Sequence, residues 1–132
     1  ESSSGYVRQE ESDSIKQTLF RNTDATGYDN PEPDVVGYGH IHKAYQQSVG
    51  KAHFLFNAGS VGNPTDEATA SYVVLRGVLN SAESGPFSTE LIRVPYDIER
   101  AIALARDAGL PDFAAYEFEL RTARYRGEMD TA

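Results

Sequence analysis

The sequence contains no cysteine, which excludes disulfides and thiolate metal ligands and leaves the redox compartment open. Cations are scarce: 12 Lys and Arg stand against 20 Asp and Glu, a formal net charge of −8. That balance argues against a protein that grips the nucleic-acid phosphate backbone, whose affinity comes from clustered cations. It argues equally against docking on an anionic membrane surface. No apolar run approaches the roughly 18 residues of a membrane-crossing helix, and no charged-then-apolar leader is visible. A cytoplasmic location is expected. Histidine is also rare, with 3 in the chain and none before His40.

What is present is 132 residues, 39% hydrophobic and 24% charged, the size and composition of one soluble globular domain. Such a chain can bury roughly two thirds of its unfolded surface and build a core without staples. It opens on Glu1-Ser2-Ser3-Ser4-Gly5 with no initiator Met, and it is expected to be a piece of a longer gene product. Residues 1–132 are read as a single domain, loose over 1–13 and frayed over 128–132.

Ser14 with Gln17 resembles a capping box, and Ile15, Leu19 and Phe20 follow at helical spacing, predicting a short helix to Asn22. Breakers from Thr23 to Pro33 precede a short apolar strand over residues 34–38. Residues 44–49 and 52–56 predict a hairpin turning at Gly50-Lys51. Residues 57–64 predict an ordered loop. Two more strands are expected over 72–75 and 90–94, joined through a polar turn from Asn80 to Pro86. Asp97 caps a helix whose inner face is Ile98, Ala101, Ile102 and Ala105, stopped by Gly109 and Pro111. A last helix starts near Asp112, with Phe113, Tyr116, Leu120 and Ala123 on one stripe. Its Glu117, Glu119, Arg121, Arg124 and Arg126 read as a solvated face. The order predicts an α+β fold, mostly antiparallel strands with C-terminal helices.

Chemistry gathers at Gly39-His40-Ile41-His42. If the strand continued through these residues, positions i and i+2 would point to one side and both imidazoles could converge. Neutral imidazole suits manganese, iron, nickel or zinc better than calcium or magnesium. Set against this is a pair of surface histidines at a strand end, since two ligands fall short of a full shell. Gly37 and Gly39 flank Tyr38, and missing side chains there would admit a ligand or second backbone. His53 is expected as a partly exposed sheet residue. Asp66 and Glu67 read as solvated loop charges.

Taken together, Asp34-Val35-Val36-Gly37-Tyr38-Gly39-His40-Ile41-His42, the hairpin, Asn57-Ala58-Gly59-Ser60-Val61-Gly62-Asn63-Pro64, Ala70-Ser71-Tyr72-Val73-Val74-Leu75 and Arg93-Val94-Pro95-Tyr96-Asp97 resemble the C-terminal half of calcineurin-like metallophosphoesterases. The small bacterial and archaeal phosphodiesterase branch is the nearest likeness. Its pattern is a strand into GHTH, a hairpin, an NPGSVG loop, a Y-x-x-L strand and an R-V-x-Y-D entry into the last helices. The likeness spans residues 34–110. It implies an α/β sandwich and two divalent transition-metal ions, manganese foremost, whose bridging hydroxide attacks a phosphoester. By the same resemblance His40 ligates the second metal and His42 the first. Gly39, Asn57, Gly59, Ser60 and Gly62 then belong to the backbone support behind the site, with Ala58 in place of the family's Pro and Ile41 in place of Thr.

The family's DxH, GDxxD and GNH motifs and its earlier His do not occur in this chain. The resemblance therefore implies the C-terminal half of an enzyme, inactive without an N-terminal half on the same or a second chain. A lone half is expected to expose an apolar face and to form homo-oligomers. Two other readings stand beside it. One is a phosphoesterase-like module retained for binding or scaffolding. The other is a cupin-type metal barrel, which also uses HxH on a strand but wants a Glu where Tyr45 and Gln46 stand.

Overall fold

The computed structural model describes residues 7–21, 32–78, 81 and 83–131. The expected breaker segment lies largely outside them, as do Asn22, Asn80 and the chain's first six residues. The order is α1 (Asp13–Lys16), a 3₁₀ turn (Gln17–Leu19), β1 (Val35–Tyr38), β2 (Tyr45–Val49), β3 (His53–Asn57), β4 (Ala70–Arg76), β5 (Ser88–Val94), α2 (Ile98–Asp107), α3 (Phe113–Thr122) and a 3₁₀ helix (Arg126–Thr131). This is the expected α+β class. The last of these elements occupies part of the tail that was expected to fray.

The helix expected to run from Ser14 to Asn22 is one α-turn followed by a 3₁₀ turn. The expected capping box does not form, because the helix begins at Asp13 with Ser12 at its N-cap and Ser14 already inside the first turn, where the two hydroxyls bond each other at 2.9 Å. The turn tightens as Leu19 and Phe20 enter the core, where Phe20, Tyr45, Val49 and Leu55 pack with Val36 and Tyr38. Phe20 and side chains of β1, β2 and β3 thus supply one small core.

β1, β3 and β2 form a three-stranded sheet in that order. β2 and β3 are the expected hairpin, with Gly50 at φ 62° in its turn. β1 runs parallel to β3, with Tyr38 opposite Asn57 at the shared C-terminal end. A parallel pair sends both following loops out at the same end of the sheet, which is where open α/β sheets place their crevices. β4 and β5 form a separate antiparallel hairpin sheet. On the face of that hairpin carrying Tyr72 and Val94, these two side chains remain 45% and 41% exposed.

α2 is the element most fully read from sequence. Asp97 caps it by accepting the Arg100 N–H at 2.9 Å, Gly109 follows at φ 68°, and Ile102 is buried. Arg121 binds Glu99 in two bonds of 2.9 and 2.8 Å, tying α3 to α2.

The two sheets are joined by charge as well as by chain. Asp66, expected in solvent, has a side chain only 10% exposed and pairs with Arg93 of β5 at 2.6 Å. It also accepts the Ala44 N–H at 2.8 Å. Burial raises its pKa, but the Arg93 guanidinium and the Ala44 and Glu67 N–H groups outweigh it and hold the carboxyl below its usual range. Asp66→Asn is expected to cost about 2 kcal/mol at pH 7, read by urea denaturation. Because the folded pKa is depressed, the contribution is complete above the unfolded value near pH 4 and is lost as pH falls through the folded value. The gap between wild type and variant should close in acid. A gap unchanged at about pH 2 would assign Asp66 a packing role alone.

Candidate functional site

Local backbone decides how the two histidines are presented. β1 stops at Tyr38, so the strand does not continue through His40. Instead the Ile41 N–H donates to the Gly39 carbonyl at 2.9 Å while His40 sits at φ 73°, a γ-turn centred on a non-glycine residue. That geometry is rare and strained. The expectation that strand pleating aims both imidazoles to one side is thereby corrected. His40 and His42 nevertheless line the same groove, of about 770 Å³.

Three backbone groups of the turn are held from the neighbouring loop. Asn57, fully buried at the end of β3, donates its Nδ2 to the Gly39 carbonyl at 3.3 Å and accepts the Gly59 N–H on Oδ1 at 2.8 Å. The His42 carbonyl accepts the Thr65 N–H at 2.9 Å. Ala44 is held by Asp66. The loop from Asn57 to Asp66 thus clamps the turn at its start, middle and end.

The loop is itself fixed to β4. Buried Ser71 donates its hydroxyl to the Ala58 carbonyl at 2.9 Å and accepts the Ser60 N–H at 3.1 Å. Gly59 is required here: at φ 73° a Cβ would sit 2.8 Å from that of Ala44 and collide with the Ser71 hydroxyl. Ser60 accepts the Asn63 N–H on its hydroxyl at 3.0 Å, a turn-forming role. A Cβ at Gly39 or at Gly62 would meet nothing within 4 Å, so no protein backbone packs closely against either. Gly37 is the crowded one, its open side filled by the Phe56 ring.

Glu119 is the residue the sequence misplaced. Read as part of a solvated face, it is 1% exposed. Its carboxylate accepts Asn63 Nδ2 at 3.0 Å and three Arg126 donors: the backbone N–H at 3.0 Å, Nε at 3.0 Å and Nη2 at 2.8 Å. Burial raises its pKa, yet Arg126 and Asn63 more than offset that and leave the carboxyl below its ordinary value. Its two partners, like Glu119 itself, line the groove. No local signal marks it, because its partners come from a loop 56 residues away and from a tail folded back at Ala123, where φ is 51°.

Lys43 and Glu10, which also line the groove, pair at 3.0 Å. The Tyr45 phenol, another lining group, meets the Tyr38 hydroxyl, which donates to the Val7 carbonyl at 2.8 Å. Burial, and then the Tyr38 contact, push the Tyr45 phenol well above its usual range. His53 lies at the opposite end of β3, its ring tilted by 31° against that of Phe20 with centres 4.4 Å apart.

The imidazole donors suit a transition metal in kind, but not in number. Among the described residues no group of three or more His, Asp or Glu could hold a metal ion. The described residues alone do not fit a complete metal centre. Asn57→Ala would strand the Gly39 carbonyl and Gly59 N–H in a buried setting. A loss of about 3 kcal/mol is expected by urea denaturation, together with faster amide exchange at Gly59; unchanged exchange there would show that the clamp does not depend on Asn57.

No family model matches the chain, and no curated protein matches it. Among solved structures it is similar to a metallophosphoesterase from Sphaerobacter thermophilus, at 20% identity and a TM-score of 0.47, over 68% of this chain and 42% of that one. The chain therefore spans less than half the length of that structure.

Proposed function

We propose that this chain is the C-terminal half of a metal-dependent phosphoesterase, in which His40 and His42 each supply a ligand to one of two divalent transition-metal ions. The observation that carries the reading is the clamped turn. A strained backbone presenting two imidazoles to a groove, held at Gly39, His42 and Ala44 by a single neighbouring loop, is the kind of support a ligating turn needs. The GHIH and NAGSVGNP motifs that resemble the phosphoesterase family meet at the Asn57–Gly39 bond of that clamp, and Thr65 and Asp66, directly after the second motif, make the rest.

Two imidazoles leave most of a dinuclear shell to be filled. We place the remaining ligands on an N-terminal half, on the same or a second polypeptide, and the exposed Tyr72 and Val94 face offers it an apolar seat. When bound, the metals would supply a nucleophile from water and neutralise phosphate oxygens. This chain's own residues would hold two ligand positions and exclude movement of the turn. Manganese is the first metal to try, with iron, nickel and zinc as alternatives. The reading entails no hydrolysis by the chain alone. The incomplete donor set favours a second reading, a non-catalytic binding module.

Native mass spectrometry after manganese addition separates them. A companion segment of comparable size with two metal ions is the outcome expected for the enzyme half, and His40→Ala or His42→Ala should then lower metal occupancy at least about tenfold. Lone chains without metal, unchanged by either substitution, would leave the binding-module reading standing.

A further inference from the structure

The groove lined by His40 and His42 has room for more than a phosphate group. At about 770 Å³ it falls in the range of pockets for drug-sized ligands, roughly 300–1,000 Å³. The tail beyond α3 contributes Tyr125, whose side chain stays 59% exposed while lining the same groove as His40 and His42. Two features set the position of this ring's backbone and one of its neighbours. The next residue, Arg126, is locked onto buried Glu119 through its backbone N–H and two guanidinium donors. Gly127 lies directly against the ring: a Cβ there would stand 2.9 Å from Tyr125 Cε1 and 3.1 Å from Cδ1. The ring is thus supported along one edge by bare backbone and open over much of its surface.

A rigid, half-open aromatic ring at a groove offers a large contact area at little entropic cost, and such rings bind planar π-systems by stacking. We propose that Tyr125 is a stacking platform for the planar aromatic part of a phosphoester ligand, a nucleobase or a simple aryl group, with Gly127 keeping the ring in position. This deepens the phosphoesterase reading and rests on it for the phosphate end of the ligand.

The test is isothermal titration calorimetry of the manganese-supplemented chain with AMP, phenyl phosphate and methyl phosphate. Wild type should bind AMP at least about tenfold more tightly than methyl phosphate, the worth of one stacked ring. Tyr125→Ala should abolish that preference and leave methyl phosphate unchanged, Tyr125→Phe should keep it, and Gly127→Val, which displaces the ring, should match Tyr125→Ala. Phenyl phosphate bound as tightly as AMP assigns any aryl group, and weaker binding assigns the base. Equal affinity for AMP and methyl phosphate, or a Tyr125→Ala loss shared by both, overturns the platform while the phosphate site stands. Methyl phosphate bound equally well by wild type and the His40→Ala/His42→Ala double variant, with the AMP preference still lost in Tyr125→Ala, supports the platform and overturns the phosphoesterase reading. Absence of binding by all three ligands overturns the platform.

Discussion

The buried amide of Asn57 is the interaction on which the arrangement of this end of the molecule depends. It stands where β3 ends beside β1, and parallel pairing sends the two following loops out together. Two peptide groups there would be buried without a partner, and one side chain satisfies both: the Gly39 carbonyl and the Gly59 N–H. Each such group left unmet costs about 1–3 kcal/mol. Strain at a non-glycine residue with positive φ, as at His40, falls in the same range of about 1–3 kcal/mol. The two magnitudes are comparable, so the γ-turn persists because its neighbours hold it.

Two acidic side chains extend that constraint to the rest of the fold. Asp66 connects the turn to β5 through Arg93, and Glu119 connects the loop at Asn63 to α3 and the tail through Arg126. Both are buried carboxylates kept ionised by their partners. A buried carboxylate that loses one partner is worse than no carboxylate at all, by several kcal/mol. These pairs therefore act less as sources of stability than as fixed registrations of loop against sheet and tail against loop.

The parts legible in the sequence are those whose cause is local. α2 was readable because its cap, apolar stripe and stop signal all lie within 15 residues of one another, and the β2–β3 hairpin because its turn and alternation are contiguous. The pairing of β1 with β3 was not, since parallel partners are separated in sequence and carry no turn signal. His40 and His42 were legible as a pair but not as a γ-turn: a Gly followed by His reads as strand end, and the clamp that bends it comes from Asn57 and Thr65. Asp66 and Glu119 failed for one shared reason. A charge in a loop or on a helix is solvated unless a distant residue meets it, and Arg93, Asn63 and Arg126 are all distant or beyond a chain reversal.

That failure bears on how the histidine pair works. In a strand, two residues at i and i+2 share a side by pleat alone, whatever surrounds them. In a turn they share a groove only while the surrounding loop holds the backbone, so residues that touch no ligand, Asn57 and Asp66 among them, govern the placement of both imidazoles. Such a turn has already lost the conformational freedom that ligand binding would otherwise remove. A segment bringing further donors then has only its own ordering to offset, which is the advantage of preorganisation. A half site of the kind proposed would suit completion by another piece of protein better than holding an ion alone.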